Sequence, residues 1–276
     1  MTSKTWFITG ISRGFGLALT EALLAKGETV IGTTRDGMAP LEDASGRLHV
    51  LALDVTDPAA IKDVIGQAGR ITGRLDVLVN NAGYGLLGAV ESGSDEAVEH
   101  LFAVNFHGPR RIIQAVLPLL RRQGSGHIVN ITSIAGLAAN PGSGLYAASK
   151  FAVEGMSQAL AQEVAPLGIK VTLVEPGAFR TDFLSDHSLR KTDTGEDVYA
   201  ATSGATIARL DSMAGKQIGD PAKAAAAIIA AVEAAEPPLH LVLGSDAFRR
   251  IQEKQKAFAV DLDRWQSVSL DTDFPN

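Results

Sequence analysis

Seven short apolar runs recur along the chain, each separated from the next by a stretch with helical spacing. They read TWFIT, TVIGTT, LHVLAL, DVLVN, HIVNI, KVTLVE and LHLVL. Each run is nearly continuous in apolar residues instead of alternating, the pattern of strands covered on both faces. Strand and helix alternating through about seven strands require a parallel sheet with right-handed crossovers. The expected fold class is therefore α/β: one doubly wound parallel sheet with helices on both faces. Asp57 and Asp220, each followed by proline, mark helix starts, as does Ser94 ahead of two acids. Residues 1–244 are expected to form this domain. Within it, 182–218 is long and polar, as a substrate loop or lid would be. Residues 245–276 read as a helical extension, because Phe248, Ile251, Phe258, Leu262 and Trp265 recur at helical spacing. That stripe reads as packing.

Composition narrows the function. A 46% apolar, 20% charged chain of 276 residues can bury a sizeable core, and a net charge of −6 argues against nucleic acid or an anionic membrane as partner. There is no cysteine, which removes disulfides and thiolate chemistry and fits a reducing compartment. The six histidines lack HxH or HxxxH spacing, so no metal site is expected. The chain enters a strand almost at once and holds no run of about 18 apolar residues. A soluble, cytoplasmic protein is expected.

In such a sheet ligands lie beyond the carboxyl ends of the strands. The first strand is followed by TGISRGFG, with Gly10, Gly14 and Gly16; glycines between strand and helix suit close approach of a pyrophosphate. Later strands end at Arg35, Asp54, NNAG (80–83), Ser133, and Pro176-Gly177 with Thr181 beyond. The stretch GLYAASKFAVEGM sets Tyr146 and Lys150 four apart on one helical face. A free phenol titrates near 10, so proton transfer at neutral pH calls for a shift of about three units, ~4 kcal/mol. A nearby ammonium would favour the tyrosinate. The GISRG in the glycine turn has the outline of a nucleophile elbow, but it follows the wrong strand and leaves the Tyr–Lys pair unused.

TGxxxGxG, NNAG, a serine thirteen residues before YxxxK, and the later PG together resemble the short-chain dehydrogenase/reductases, NADP-preferring type, from about Lys4 to Leu243. The resemblance implies a Rossmann fold with Tyr146 as general acid/base, Lys150 as its activator, Ser133 positioning the carbonyl oxygen and Asn105 holding a proton relay. It also implies a cofactor site of Gly10, Ser12, Arg13, Gly14, Phe15, Gly16, Arg35, Asp54, Val55, Asn80, Ala82, Gly83, Tyr146, Lys150, Pro176, Gly177, Phe179 and Thr181. Thr34 stands where NAD enzymes of this type carry an acid. Arg13 and Arg35 suit a 2′-phosphate, so NADP(H) is favoured over NAD(H), with Asp36 as the competing feature.

The expected reaction is reduction of a ketone or aldehyde to an alcohol, or the reverse. Tyr84, Leu86, Leu87, Phe179 and Phe183 could wall an apolar substrate pocket or belong to the core. The alternatives are a catalytically silent NADP(H)-binding regulatory protein and a sugar-nucleotide epimerase. The resemblance further implies a homodimer or homotetramer, built through the helices carrying Asn105 and Tyr146.

Overall fold

A computed structural model describes residues 3–185, 187–192 and 197–274. Its centre is a seven-stranded, wholly parallel sheet. The strands in chain order are β1 (Thr5–Thr9), β2 (Thr29–Thr34), β3 (Leu48–Ala52), β4 (Val77–Asn80), β6 (Gly126–Ile131), β7 (Ile169–Pro176) and β9 (His240–Leu243), lying in the order β3-β2-β1-β4-β6-β7-β9. These are the seven apolar runs, and the strand order reverses between β1 and β4. A crevice therefore opens there, beyond the carboxyl ends of both strands.

Alternate residues of each strand feed opposite layers. On one side Phe7 and Ile31 meet α2 (Pro58–Thr72), α4 (Gly108–Gln123) and α5 (Gly144–Val164) through Ile61, Val64, Ile112, Val116, Leu160 and Val164. On the other, Trp6, Ile8 and Val30 meet α1 (Gly14–Ala25) and α7 (Pro221–Glu233) through Leu19, Leu23, Ile228 and Val232. The expected caps are in place. Asp57 accepts from the N–H groups of Ala59 and Ala60, Asp220 from that of Ala222, and Ser94 from that of Ala97 ahead of α3 (Asp95–Phe102).

Besides the link from β2 to β3, where residues 35–47 form no helix, two features depart from the sequence reading. The stretch 182–218 is not one polar connection: it carries β8 (Leu189–Lys191) and α6 (Ala205–Ser212). β8 pairs in parallel with β5 (Gly85–Leu87), a short strand directly after the NNAG turn. Three residues are too few for an apolar run to announce a strand. The second departure is α8 (Ser245–Leu270). It is helical as expected, but its apolar stripe does not pack into this chain: Phe248, Phe258, Leu262 and Trp265 are each more than half exposed. Among the described residues no helix is long and apolar enough to cross a membrane.

Candidate active site

The glycine turn sits at the β1/β4 switch point. Gly14 has φ +59, a conformation side chains rarely adopt, and it opens α1, which no side chain caps. At Gly16 a Cβ would lie 2.2 Å from the Gly10 carbonyl oxygen, so the helix can approach the strand this closely only with glycine there. The turn is held from β4 by Asn81, whose Nδ2 donates to the carbonyls of Thr9 (2.9 Å) and Gly10 (2.8 Å). Thr9 Oγ1 accepts from the backbone N–H of Asn81 and Ala82 in return. Asn80, which the resemblance places on the adenosine side of the cofactor site, precedes Asn81 in the chain. The Asn80 side chain is turned into the protein, where its Nδ2 donates to Asn130 Oδ1 (2.8 Å). Neighbours along a strand face opposite sides, so only one asparagine of the pair can reach the turn.

At the outer end of the crevice, Arg35 and Asp36 are exposed at the tip of β2. Asp36 curls back: it accepts from Thr34 Oγ1 (3.0 Å) and from the Met38 N–H (3.1 Å), and these bonds hold its carboxyl below the usual range. Asp54 is depressed by the Thr56 backbone and hydroxyl, with the Arg35 guanidinium contributing to both acids. Phe15 and Phe179 meet edge to face at 5.1 Å, joining the glycine turn to the loop after β7. The Asp246 carboxylate accepts from the Ala178 N–H at 2.8 Å and so ties the root of α8 to that same loop. Thr181 lies against Gly14. A cavity of about 400 Å³ opens between α1 and residues 180–185, lined also by Ala214, Gly215 and Gln217.

The catalytic candidates converge at the inner end. Tyr146 and Lys150 lie on α5, both nearly buried, with Lys150 Nζ 5.8 Å from the centre of the Tyr146 ring. Lys150 Nζ donates to the Ile131 carbonyl at the end of β6 (3.0 Å). Asn105 sits in a single π-turn, Ala103–His107, between α3 and α4. Such turns often mark functional sites, because they rotate one side chain out of the regular helical ladder. Its amide does not serve its own helix. Oδ1 accepts from the Tyr84 N–H (3.1 Å), while Nδ2 donates to the Tyr84 carbonyl (2.9 Å) and to Ser149 Oγ on α5 (3.1 Å). Between Asn105 and Lys150 runs the backbone of Gly83; a Cβ there would be 3.2 Å from Asn105 Oδ1 and 3.6 Å from Lys150 Nζ.

Burial dominates the electrostatics. It pushes the Tyr146 phenol up to about 12, with the Ser133 hydroxyl pulling the other way, and takes Lys150 down to about 8, opposed by Glu154. The ammonium is expected to favour the tyrosinate together with the positive nicotinamide of an oxidised cofactor; among the protein's own groups, burial of the phenol prevails. An ammonium about 6 Å from the ring does not offset loss of water around the phenol.

Tyr84, Leu86 and Phe183 gather around Tyr146. Leu86 is buried, Phe183 lies 5.8 Å from the Tyr146 ring, and Tyr84 and Phe183 pack against the same cluster. Phe183 and Leu189 cover Gly85, and Phe183 also lies beside the Tyr146 ring. The Arg190 guanidinium stacks over the Tyr84 ring at 4.8 Å.

Behind Lys150 lies a cluster that local spacing could not show. Glu154 and Glu175 are buried to 2% and 0% exposure, and His240 Nδ1 stands 2.6 Å from Glu175 Oε1 and 3.9 Å from Glu154 Oε2. Three side chains from α5, β7 and β9 thus offer ligand atoms within 4.8 Å of one another. Burial raises Glu154 to about 7 and Glu175 to about 8, so near neutral pH the pair retains protons instead of carrying two full charges. A carboxyl raised in the folded state holds a proton that the unfolded chain, titrating near 4.5, has released. Its stabilisation is present at low pH and lost as pH rises through the folded values. Buried His127, lowered to about 4, acts only below pH 6.5, and Lys150 only above about 8. The thermal midpoint is expected to fall by several degrees between pH 6.5 and 8, and Glu175→Gln to flatten that slope. A midpoint that is level across this window in the unaltered protein would refute the raised titration of these two carboxyls.

Comparison with known proteins agrees with this fold. Residues 4–192 match the family model described as short chain dehydrogenase. The oxidoreductase BOA17 of Botryotinia fuckeliana is 38% identical over 272 residues, covering 97% of this chain and 98% of that one. The 3-ketodihydrosphingosine reductase of Bacteroides thetaiotaomicron is 39% identical, covering 88% and 89%. A crystal structure of a short-chain dehydrogenase from Streptomyces avermitilis superposes with a TM-score of 0.92 at 42% identity, covering 99% of this chain and all of that one.

Proposed function

Because the chain belongs to the short-chain dehydrogenase family and is an oxidoreductase of that family, we propose that it reduces an apolar ketone or aldehyde to the alcohol with NADPH. The observation that supports this most is the meeting of Tyr146, Lys150, Ser133 and Asn105 beneath an apolar cover at the carboxyl edge of the sheet. The glycine turn fits a dinucleotide, since Gly16 keeps open a close approach that a single Cβ would block. Gly10 to Gly16 and the start of α1 would hold the pyrophosphate, Arg13 and Arg35 the 2′-phosphate, Asp54 and Val55 the adenine side, and Lys150 the nicotinamide ribose. When bound, the cofactor supplies the hydride.

The protein's own groups handle the oxygen and the proton. Ser133 at the end of β6 donates to the substrate carbonyl oxygen and stabilises its developing charge. Tyr146 Oη gives that oxygen a proton. A phenol held near 12 stays protonated at neutral pH, the form that carbonyl reduction consumes. Lys150, held near 8, can release a proton toward the tyrosine, while Asn105 keeps the Tyr84 backbone and α5 in register around it. Phe183, Leu86 and Tyr84 exclude water and favour a lipophilic substrate. The similarity to a reductase named for a long-chain ketone is consistent with that preference.

The test is cofactor oxidation across long-chain ketones, aldehydes and quinones, with NADPH and NADH in parallel. Faster turnover with NADPH is expected, and Arg35→Ala with Arg13→Ala should lower the NADPH-to-NADH ratio of kcat/KM about 10- to 100-fold, the loss of one or two charge-assisted contacts. A native preference for NADH would overturn the cofactor assignment and turn attention to Asp36.

A further inference from the structure

The buried carboxyl of Glu154 has no partner of its own. Its residue is 2% exposed, and among the described residues neither of its side-chain oxygens meets a hydrogen-bond partner. Glu175, fully buried, engages His240 through Oε1, while its Oε2 is likewise without a partner. Buried polar atoms are nearly always bonded, and buried charges are paired or hold a metal. Nearby donors are committed elsewhere. The Thr132 hydroxyl goes to the Val174 carbonyl (2.9 Å) and Lys150 Nζ to the Ile131 carbonyl (3.0 Å). His240 Nδ1 is 3.9 Å from Glu154 Oε2, too far for a hydrogen bond.

We infer that Glu154, Glu175 and His240 form a binding site for one divalent transition-metal ion of the zinc class. The donor set selects the metal. An imidazole nitrogen with two carboxylate oxygens suits zinc, whereas calcium and magnesium take oxygen ligands. Zinc bound at about 2.0–2.2 Å in a tetrahedron holds its ligands about 3.4 Å apart. The three ligand atoms lie within 4.8 Å of one another, and the separations from His240, 2.6 and 3.9 Å, fall on either side of that spacing. Small side-chain rotations therefore close the set around an ion. Two ionised carboxylates balance its double charge, so the filled site is neutral. In the metal-free protein protons take the ion's place on these carboxyls, and the fall in thermal midpoint expected between pH 6.5 and 8 is a property of that state.

The site has an entry path. β9 is an edge strand and the His240 side chain is 40% exposed, so the fourth coordination position can be reached by water. Glu154 lies one helical turn beyond Lys150 on α5, and Glu175 directly precedes the Pro176-Gly177 turn. The ion thus braces α5 against β7 and β9. Its ligands are distinct from the residues proposed to touch substrate or cofactor, so its role is structural.

The test is zinc titration of the full-length protein after chelator treatment, by calorimetry near neutral pH with thermal melting in parallel. One Zn2+ should bind per chain and raise the thermal midpoint by several degrees. Glu154→Gln keeps the shape of the side chain and His240→Ala alters a partly exposed position, so both should fold. Each should weaken zinc binding at least tenfold. His49→Ala, on β3 at the opposite edge of the sheet, should leave the affinity unchanged. Mg2+ should bind at least tenfold more weakly than Zn2+. No saturable binding at one zinc per chain, or native affinity in either site variant, would overturn the site. Mg2+ bound as tightly as Zn2+ would overturn the metal class. Anomalous diffraction from zinc-soaked crystals of the unaltered protein reads the position without any variant: a peak among the three side chains is expected, and peaks only elsewhere would overturn the assignment.

Discussion

Replacing Tyr146 by phenylalanine is expected to lower kcat for carbonyl reduction by about 10³-fold, the usual scale for removing a positioned general acid. Cofactor affinity and the thermal midpoint should stay nearly unchanged, because the ring keeps its place against Leu86, Ala147 and Phe183 and only one oxygen is lost. The measurement is single-turnover NADPH oxidation with a saturating ketone, beside NADPH titration by fluorescence. The size of the effect separates chemistry from packing. Loss of a hydroxyl from a nearly buried site costs about 1 kcal/mol of stability, whereas loss of the proposed proton donor would leave the developing alkoxide with Ser133 alone. If the variant kept more than a tenth of native turnover, another group would have to be the acid, and the proposed reduction would need a different site.

Gly16→Ala should be nearly as damaging by a different route. The added Cβ would stand 2.2 Å from the Gly10 carbonyl oxygen and 2.6 Å from Asn81 Nδ2, and the first of these is backbone that cannot turn aside. Helix α1 must move away from β1, which breaks the turn that Asn81 clamps. Overpacking of this kind costs about 1–3 kcal/mol, or several degrees in the midpoint. Displacing a ligand cradle by about 1 Å can cost 100-fold, so NADPH affinity is expected to fall by about that factor. Gly69→Ala is the control. Gly69 lies within α2 with nothing within 4 Å of an added Cβ, so the change should stabilise by a few tenths to 1 kcal/mol through helix propensity. A Gly16→Ala protein that is less stable yet binds NADPH as well as the native one would show that the turn does not cradle the dinucleotide.

Much of this architecture is written locally. A run such as DVLVN is apolar on both faces because helices cover both sides of its strand, and that needs no knowledge of the rest of the chain. The caps at Asp57, Ser94 and Asp220 are likewise local, because each bonds an N–H two or three residues on. Tyr146 and Lys150 share a face because helical geometry requires it. The glycine turn is legible because its meaning depends only on the strand before it and the helix after it.

What the sequence could not settle depends on partners far away in the chain. Gly85–Leu87 becomes a strand only because Leu189–Lys191, about a hundred residues on, lies beside it. Asn105 leaves its own helix for Tyr84 and Ser149, and the π-turn that aims it has no sequence signature. Glu154, Glu175 and His240 come from three separate elements, and their shifted protonation follows from burial, a property of the whole fold. The sign of the Tyr146 shift is of the same kind: Tyr–Lys spacing suggests the pair, but desolvation by the surrounding apolar cluster decides which way the phenol moves. The apolar stripe of α8 shows the division most sharply. Its periodicity makes a helix with an apolar face, but only the position of α8 outside both core layers shows that this chain leaves the face uncovered. Spacing of three or four residues acts within one element, while burial is set by every element around it.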